Sequence, residues 1–188
     1  MKKICVYCGS SKFADEKYYE LAYSVGQQLA QNGIGVVYGG GNVGLMGNVA
    51  NGALDAGGEV LGVIPHYLKE LELAHEGLTQ LYITQSMHER KALMAHLSDG
   101  FIALPGGYGT LEELAEVTTW SQLNYHHKPV GLLNAFGFYD HLLQWIEHAH
   151  QEKFIRGKHR QLIASADTLS TLITKMKNME FISIKDVL

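Results

Sequence analysis

Phe101-Ile102-Ala103-Leu104-Pro105-Gly106-Gly107-Tyr108-Gly109-Thr110-Leu111-Glu112-Glu113 joins an apolar run to a helical pattern through a glycine-rich turn. A short apolar run bounded by Pro and Gly reads as a buried strand. Three glycines in the four positions 106–109 let the chain turn tightly and let a ligand approach the backbone amides. Thr110 is the expected N-cap of the helix that follows, and Glu113 stands at capping-box spacing from it. The first-turn N–H groups and the positive end of the helix dipole then form a phosphate site. Two carboxylates in such a helix start exceed what a phosphate cradle needs. They suit a hydrolase acting on a phosphorylated substrate.

Outward from this unit, short β-rich runs alternate with longer helical patterns along the chain. Strands are expected at residues 4–7, 35–38, 59–64, 78–83, 101–104, 130–133 and 162–164. Helices are expected at 16–32, 44–56, 86–97, 109–123, 139–150 and 167–177. In the first helix Leu21, Val25 and Leu29 recur at i, i+4 spacing, and Asn32-Gly33 ends it. Ser86 is the expected cap of its helix, with Glu89 three residues on. This βαβα order predicts an α/β fold: an open, doubly wound, mostly parallel sheet with helices on both faces. Residues 1–177 read as a single domain, and 178–188 as a C-terminal tail.

In open sheets of this kind ligands bind beyond the carboxyl ends of the strands. Gly9-Ser10-Ser11, Gly39-Gly40-Gly41 and Pro105-Gly106-Gly107 are all placed there. Gly9, Ser10, Gly40, Gly41 and Gly106 are therefore candidate ligand contacts. Gly39-Gly40-Gly41-Asn42-Val43-Gly44 also matches a dinucleotide fingerprint, but the acid expected after it, Glu59, stands at the start of its strand and so at the wrong sheet edge. A P-loop is excluded, since no Gly-Lys-Ser/Thr triplet occurs.

The chain has 188 residues, sufficient for one full core, and a formal net charge of -4 that excludes a general attraction for nucleic acid or anionic membrane. No apolar run approaches a membrane span. Gly9-Ser10-Ser11-Lys12 cuts the apolar start too short for a signal peptide, so a cytoplasmic protein is expected. Cys5 and Cys8 lie three apart on and at the end of a strand. That puts them about 10 Å apart on opposite faces, beyond the roughly 7 Å that a disulfide spans. They read as reduced core residues.

Met87-His88-Glu89-Arg90-Lys91 opens the helix before residues 101–104. Two cations near the positive end of a helix dipole are mildly unfavourable for the helix itself. They suit a clamp on phosphate and sugar, with Arg90 able to make two directed hydrogen bonds. Met87, Leu93 and the stretch 65–77 are candidates for the pocket wall.

Gly39-Gly40-Gly41 through Gly44-Leu45-Met46-Gly47, then Met87 to Lys91, then Pro105 to Glu113, resemble the Lonely Guy (LOG) family. Its members are cytokinin riboside 5'-monophosphate phosphoribohydrolases, long mislabelled as lysine decarboxylases. The resemblance runs from about Lys3 to His150. It implies a Rossmann-like fold, a homodimer, and no metal or organic cofactor. Carried over, the catalytic pair is Arg90 and Glu113. Substrate contacts fall on Arg90, Lys91, and Gly107, Tyr108, Gly109, Thr110, Leu111, Glu112 and Glu113, with Glu72 and Thr119 matching two further contact positions.

The expected reaction is hydrolysis of the N-glycosidic bond of a purine nucleoside 5'-monophosphate, through an oxocarbenium-like sugar. Glu113 would stabilise that cation and activate water, Arg90 would hold ribose or phosphate, and the helix-start amides would bind the phosphate. The competing readings are a nucleotide-binding protein without turnover, a general AMP nucleosidase, and an amino-acid decarboxylase. The last would need a pyridoxal-phosphate lysine. The ten histidines do not form a zincin pair. Trp120, Leu123 and Tyr125 read as core, with a dimer contact as the alternative.

Overall fold

Residues 1–69, 74–180 and 182 are described by the computed structural model, and they alternate strand and helix from end to end. The strands are β1 (Lys3–Tyr7), β2 (Gly35–Tyr38), β3 (Val60–Pro65), β4 (Gln80–Thr84), β5 (Gly100–Ala103), β6 (Val130–Leu133) and β7 (Ile163–Ala166). The helices are α1 (Glu16–Gln31), α2 (Gly44–Asp55), α3 (His66–Lys69), α4 (Met87–Leu97), α5 (Tyr108–Gln122), α6 (Asp140–Gln151) and α7 (Leu169–Lys177). Glu72, one of the expected contacts, lies outside the described residues, as do tail positions 181 and 183–188.

All seven strands pair in parallel in one sheet, in the order β4-β3-β2-β1-β5-β6-β7. Parallel strands need helical cover on both faces, and the burial of the strands divides accordingly. Ile4, Val6, Val36 and Tyr38 pack under α1, α2 and α7, while Cys5, Tyr7, Val37 and Val63 pack under α4 and α5. The period of two along each strand thus separates two cores. Cys5 and Cys8 are free and buried, and they fall one into each core.

The edge strand β4 is partly exposed, which explains its weak pattern in the sequence. Ser86 caps α4 by accepting from Glu89 N at 3.1 Å. Glu89 accepts in turn from Gln85 N at 2.7 Å, one residue earlier than a capping box places it. Glu59 pairs with Lys3 Nζ at 3.3 Å at the amino ends of the strands, the wrong edge for a ribose contact.

The chain runs outward from β1 to β4 on one side, then returns through α4 to start again at β5 on the other. Strand order therefore reverses between β1 and β5. The crevice outside their carboxyl ends is where such sheets bind ligands.

Candidate active site

Close backbone approach shapes this crevice. Gly9 N donates to Pro105 O at 3.1 Å, joining the loops after β1 and β5, and Leu45 N donates to Gly9 O at 2.9 Å, drawing in the start of α2. Gly44 has φ +60°, and a Cβ there would lie 2.5 Å from Ser10 C, so the position takes only glycine. A cleft of about 580 Å³ opens over this junction.

Helix α5 begins at Tyr108, and its cap lies three residues before the expected one. Gly107 is the N-cap, and Thr110 is inside the first turn. The reason is steric. Thr110 is buried, and its Oγ1 would lie 2.1 Å from a Cβ on Gly106. The threonine hydroxyl fills the space that glycine vacates, so it packs the turn and does not cap the helix. A glycine cap offers no side-chain oxygen to the first-turn amides. Gly106, Gly107, Tyr108, Gly109 and Thr110 all line the cleft. The amide-rich start of α5 is left available to an anion.

Arg90 on α4 and Glu113 on α5 both line the cleft. Arg90 is only 5% exposed. Its Nε donates to Val63 O at 3.1 Å and its Nη2 to Gly39 O at 2.8 Å. The guanidinium is thus fixed on the carbonyl ends of β2 and β3. Met87 Sδ lies 3.7 Å from Nη1, and Met87 also lines the cleft. The charge of Glu113 reaches the strand beneath. Burial pushes the Cys8 thiol well up, and Glu113 adds to the rise. Cys5 is likewise raised, by burial first; Glu113 adds to this while Arg90 offsets it.

Other expected contacts divide. Gly9, Ser10 and Glu112 line the cleft. Lys91 does not: it is buried, and its Nζ binds Glu112 Oε1 at 2.5 Å and Glu116 Oε1 at 3.0 Å. Leu111 and Thr119 lie on another face of α5, lining a separate hollow of about 200 Å³ with Trp145 and His159. Gly40 and Gly41 sit after β2 without lining the cleft. Gly40, at φ +77°, packs on Ile64 and Leu81, and Gly41 bridges to Ala74. Among these loops it is Gly39 that matters, because a Cβ there would lie 1.9 Å from Arg90 Nη2.

The apolar wall was less visible in the sequence. Met46, Tyr67, Leu68, Tyr18 and Phe138 line the cleft. Phe138 follows the carboxyl end of β6, where the strand-end rule had room for it. Tyr18 sits in an amphipathic helix that gave no such signal. Its ring meets Phe136 and Phe138 edge-on, each at 5.7 Å.

Fold and site together define a Rossmann-like α/β protein with a cleft where strand order reverses, a helix start without a side-chain cap, and an arginine and a carboxylate lining the same cleft. A family model described as "Possible lysine decarboxylase" matches residues 46–176. The chain is 50% identical over 176 residues to the cytokinin riboside 5'-monophosphate phosphoribohydrolase LOG of Oryza sativa subsp. japonica, spanning 94% of this chain and 73% of that protein. It is 50% identical over 175 residues to the cytokinin riboside 5'-monophosphate phosphoribohydrolase LOG4 of Arabidopsis thaliana, spanning 93% and 81%. Among solved structures, the molybdenum cofactor binding protein from the phototrophic bacterium Rippkaea orientalis aligns with a TM-score of 0.71 at 26% identity, over 94% of this chain and 96% of that one. The chain belongs to the LOG family of phosphoribohydrolases.

Proposed function

We propose that this protein hydrolyses the N-glycosidic bond of N6-prenylated adenosine 5'-monophosphate, giving the free base and ribose 5-phosphate. One observation carries the reading: the uncapped, amide-rich start of α5 opens into the same cleft as Glu113, one turn further along, and the anchored Arg90. The amides of Gly107, Gly109 and Thr110 take the 5'-phosphate. Glu113 faces the anomeric carbon, stabilises the oxocarbenium-like sugar, and takes a proton from the attacking water. The water oxygen joins C1', the C1'–N bond breaks with its electron pair going to the base, and the proton taken by Glu113 passes to the departing base, which regenerates the carboxylate. Arg90 holds the ribose.

Strand order supports one direction for the substrate. The phosphate site lies at β5, and Arg90 is held at the ends of β2 and β3. The base then extends toward Met46, Leu68 and Met87. Methionine adapts its shape to irregular apolar groups, which suits a prenyl substituent.

A decarboxylase has less support. Among the described residues no lysine lines the cleft, so a pyridoxal-phosphate Schiff base has no anchor there. We further propose that the protein is cytoplasmic, needs no cofactor, and works as a homodimer. Leu111, Leu123, Tyr125 and Trp145 are exposed apolar side chains on or near α5 and α6 that a second copy would cover. Light scattering at twice the monomer mass is expected, and a monomer would overturn the dimer.

The deciding assay supplies prenylated AMP, plain AMP and lysine in turn, and follows free base, ribose 5-phosphate and carbon dioxide. Base and ribose 5-phosphate in equal amounts from prenylated AMP are expected, with no carbon dioxide from lysine. Nucleotide binding without release of base would leave a carrier or sensor instead.

A further inference from the structure

Two carbonyls lead into the Pro105-Gly106-Gly107 turn, and each is held by a different loop. Pro105 O accepts from Gly9 N at 3.1 Å. Leu104 O accepts from the hydroxyl of Tyr139 at 2.6 Å. Across a planar peptide the carbonyl and the following N–H point opposite ways, so fixing Pro105 O fixes the direction of the Gly106 N–H. The proline ring locks φ at position 105. Between the two held peptide planes one soft torsion remains, ψ of Pro105. The Tyr139 hydroxyl therefore acts on the amides downstream, although Tyr139 is buried and does not line the cleft.

The loop after β6 holds Tyr139 in turn. Tyr139 N donates to Asn134 Oδ1 at 2.7 Å, Asn134 Nδ2 donates to Asp140 Oδ1 at 2.8 Å, and Asn134 N donates to Ala166 O at 2.9 Å. Between these anchors the chain passes through Phe136 at φ +58° and Gly137 at φ +67°. A phenylalanine in the left-handed region is strained, and it persists where the surroundings fix the backbone. The next two residues then part. Phe138 lines the cleft, and the Tyr139 ring meets it edge-on at 4.8 Å on the way to Leu104. Burial pushes the Tyr139 phenol well up, and Cys8 adds to the rise, so the hydroxyl keeps the proton it donates.

We propose that Tyr139 is a positioning residue for the phosphate: its hydroxyl fixes the peptide planes that enter α5, so that the helix-start amides converge on the 5'-phosphate. The proposal rests on the reading of that helix start as the phosphate site. It separates two tasks on one helix. Buried Leu114 and Val117 anchor the body of α5, and with it Glu113, independently of Tyr139. Loss of the hydroxyl therefore weakens the grip on phosphate and spares the chemical step.

Tyr139→Phe removes one oxygen and keeps the ring. Base release from prenylated AMP would be followed for this variant and wild type, with calorimetric binding of ribose 5-phosphate and of the free prenylated base. The expectation is a KM and a ribose 5-phosphate Kd higher by about fivefold or more, with kcat and the Kd of the free base within about twofold of wild type. A role in stability alone would lower the melting temperature without this split between phosphate and base. Tyr139→4-aminophenylalanine returns an N–H donor to the same place and should recover most of the loss. If Tyr139→Phe does not fold, Tyr139→4-fluorophenylalanine fills the volume of the oxygen without a donor and decides in its stead. The proposal is overturned if the donorless variant binds ribose 5-phosphate as wild type does, if phosphate and base binding fall alike, or if kcat falls in place of the rise in KM. A wild type that does not bind ribose 5-phosphate overturns it too. A wild type that binds ribose 5-phosphate but releases no base, with the phosphate loss in Tyr139→Phe, defeats the hydrolase reading and leaves this one standing. Active wild type with the wrong variant pattern defeats this one alone.

Discussion

The place of a side chain at position 39 is taken by Arg90, whose Nη2 would lie 1.9 Å from a Cβ built on Gly39. Gly39→Ala therefore tests the site without altering a site residue. The methyl group displaces the guanidinium and breaks its bond to Gly39 O. A loss of at least about tenfold in kcat/KM is expected, read from base release in a variant whose circular dichroism is unchanged. Glu113→Gln keeps the shape and removes the charge. Turnover should fall at least about a hundredfold, in the range of a lost acid–base group, while nucleotide binding by calorimetry persists. Near-normal release of base by that variant would remove Glu113 from the mechanism. At this scale the place of Arg90 and Glu113 beside one cleft was legible, because charged residue types next to a glycine turn mark the ligand edge of such a sheet. The position of Thr110 was not. Its hydroxyl could equally cap a helix or pack a turn, and only the contact with Gly106 decides.

Among the elements, α1 and α2 lie against each other through glycine. A Cβ on Gly26 would stand 2.0 Å from Val49 O, and one on Gly52 would stand 2.0 Å from Tyr23 O. Both contacts are with backbone, so neither neighbour can swing aside. Gly26→Ala should destabilise the protein by about 1–3 kcal/mol despite the better helix propensity of alanine. Denaturant melts would measure it, and a gain in stability would show that the helices slide freely. The helices themselves were easy to find from their apolar spacing and glycine stops. Their relations were not. Thr119 and Leu111 were placed with the substrate, but α5 presents them to a different hollow from the cleft that Glu113 lines. Successive turns of one helix serve the core, the cleft, α4 and an outer surface, and sequence proximity does not say which.

The whole molecule is closed at its amino end by Asp99, which follows α4. Its carboxylate accepts from Lys2 N at 2.5 Å and Lys3 N at 3.0 Å, and Asp99 N donates to Lys3 O at 2.8 Å. The bond from Lys2 chiefly holds this carboxyl below its ordinary value; partial burial opposes the shift and the bond from Lys3 adds to it. A folded pKa below the unfolded one stabilises the protein above the unfolded value, and that stability is lost as pH falls through the folded value. Asp99→Asn should therefore melt below wild type at pH 7. The gap should close as the pH drops below about 4. A gap that is constant with pH would show that charge plays no part. Docking β1 beside β5 in this way places the Gly9 and Pro105 loops together, and the cleft depends on that junction.

Alternating apolar runs and amphipathic helices, with glycine at the turns, were enough to determine a doubly wound parallel sheet and its ligand edge, because burial on both faces and the period of a helix are written locally. The motifs also marked the residue types of the site. What the fold alone decided is the direction in which each side chain points. Arg90 turns onto the carbonyls of Gly39 and Val63, while its neighbour Lys91 turns to Glu112 and Glu116. Those partners are distant in the chain, and a hydrogen bond exists only once strands and helices have packed.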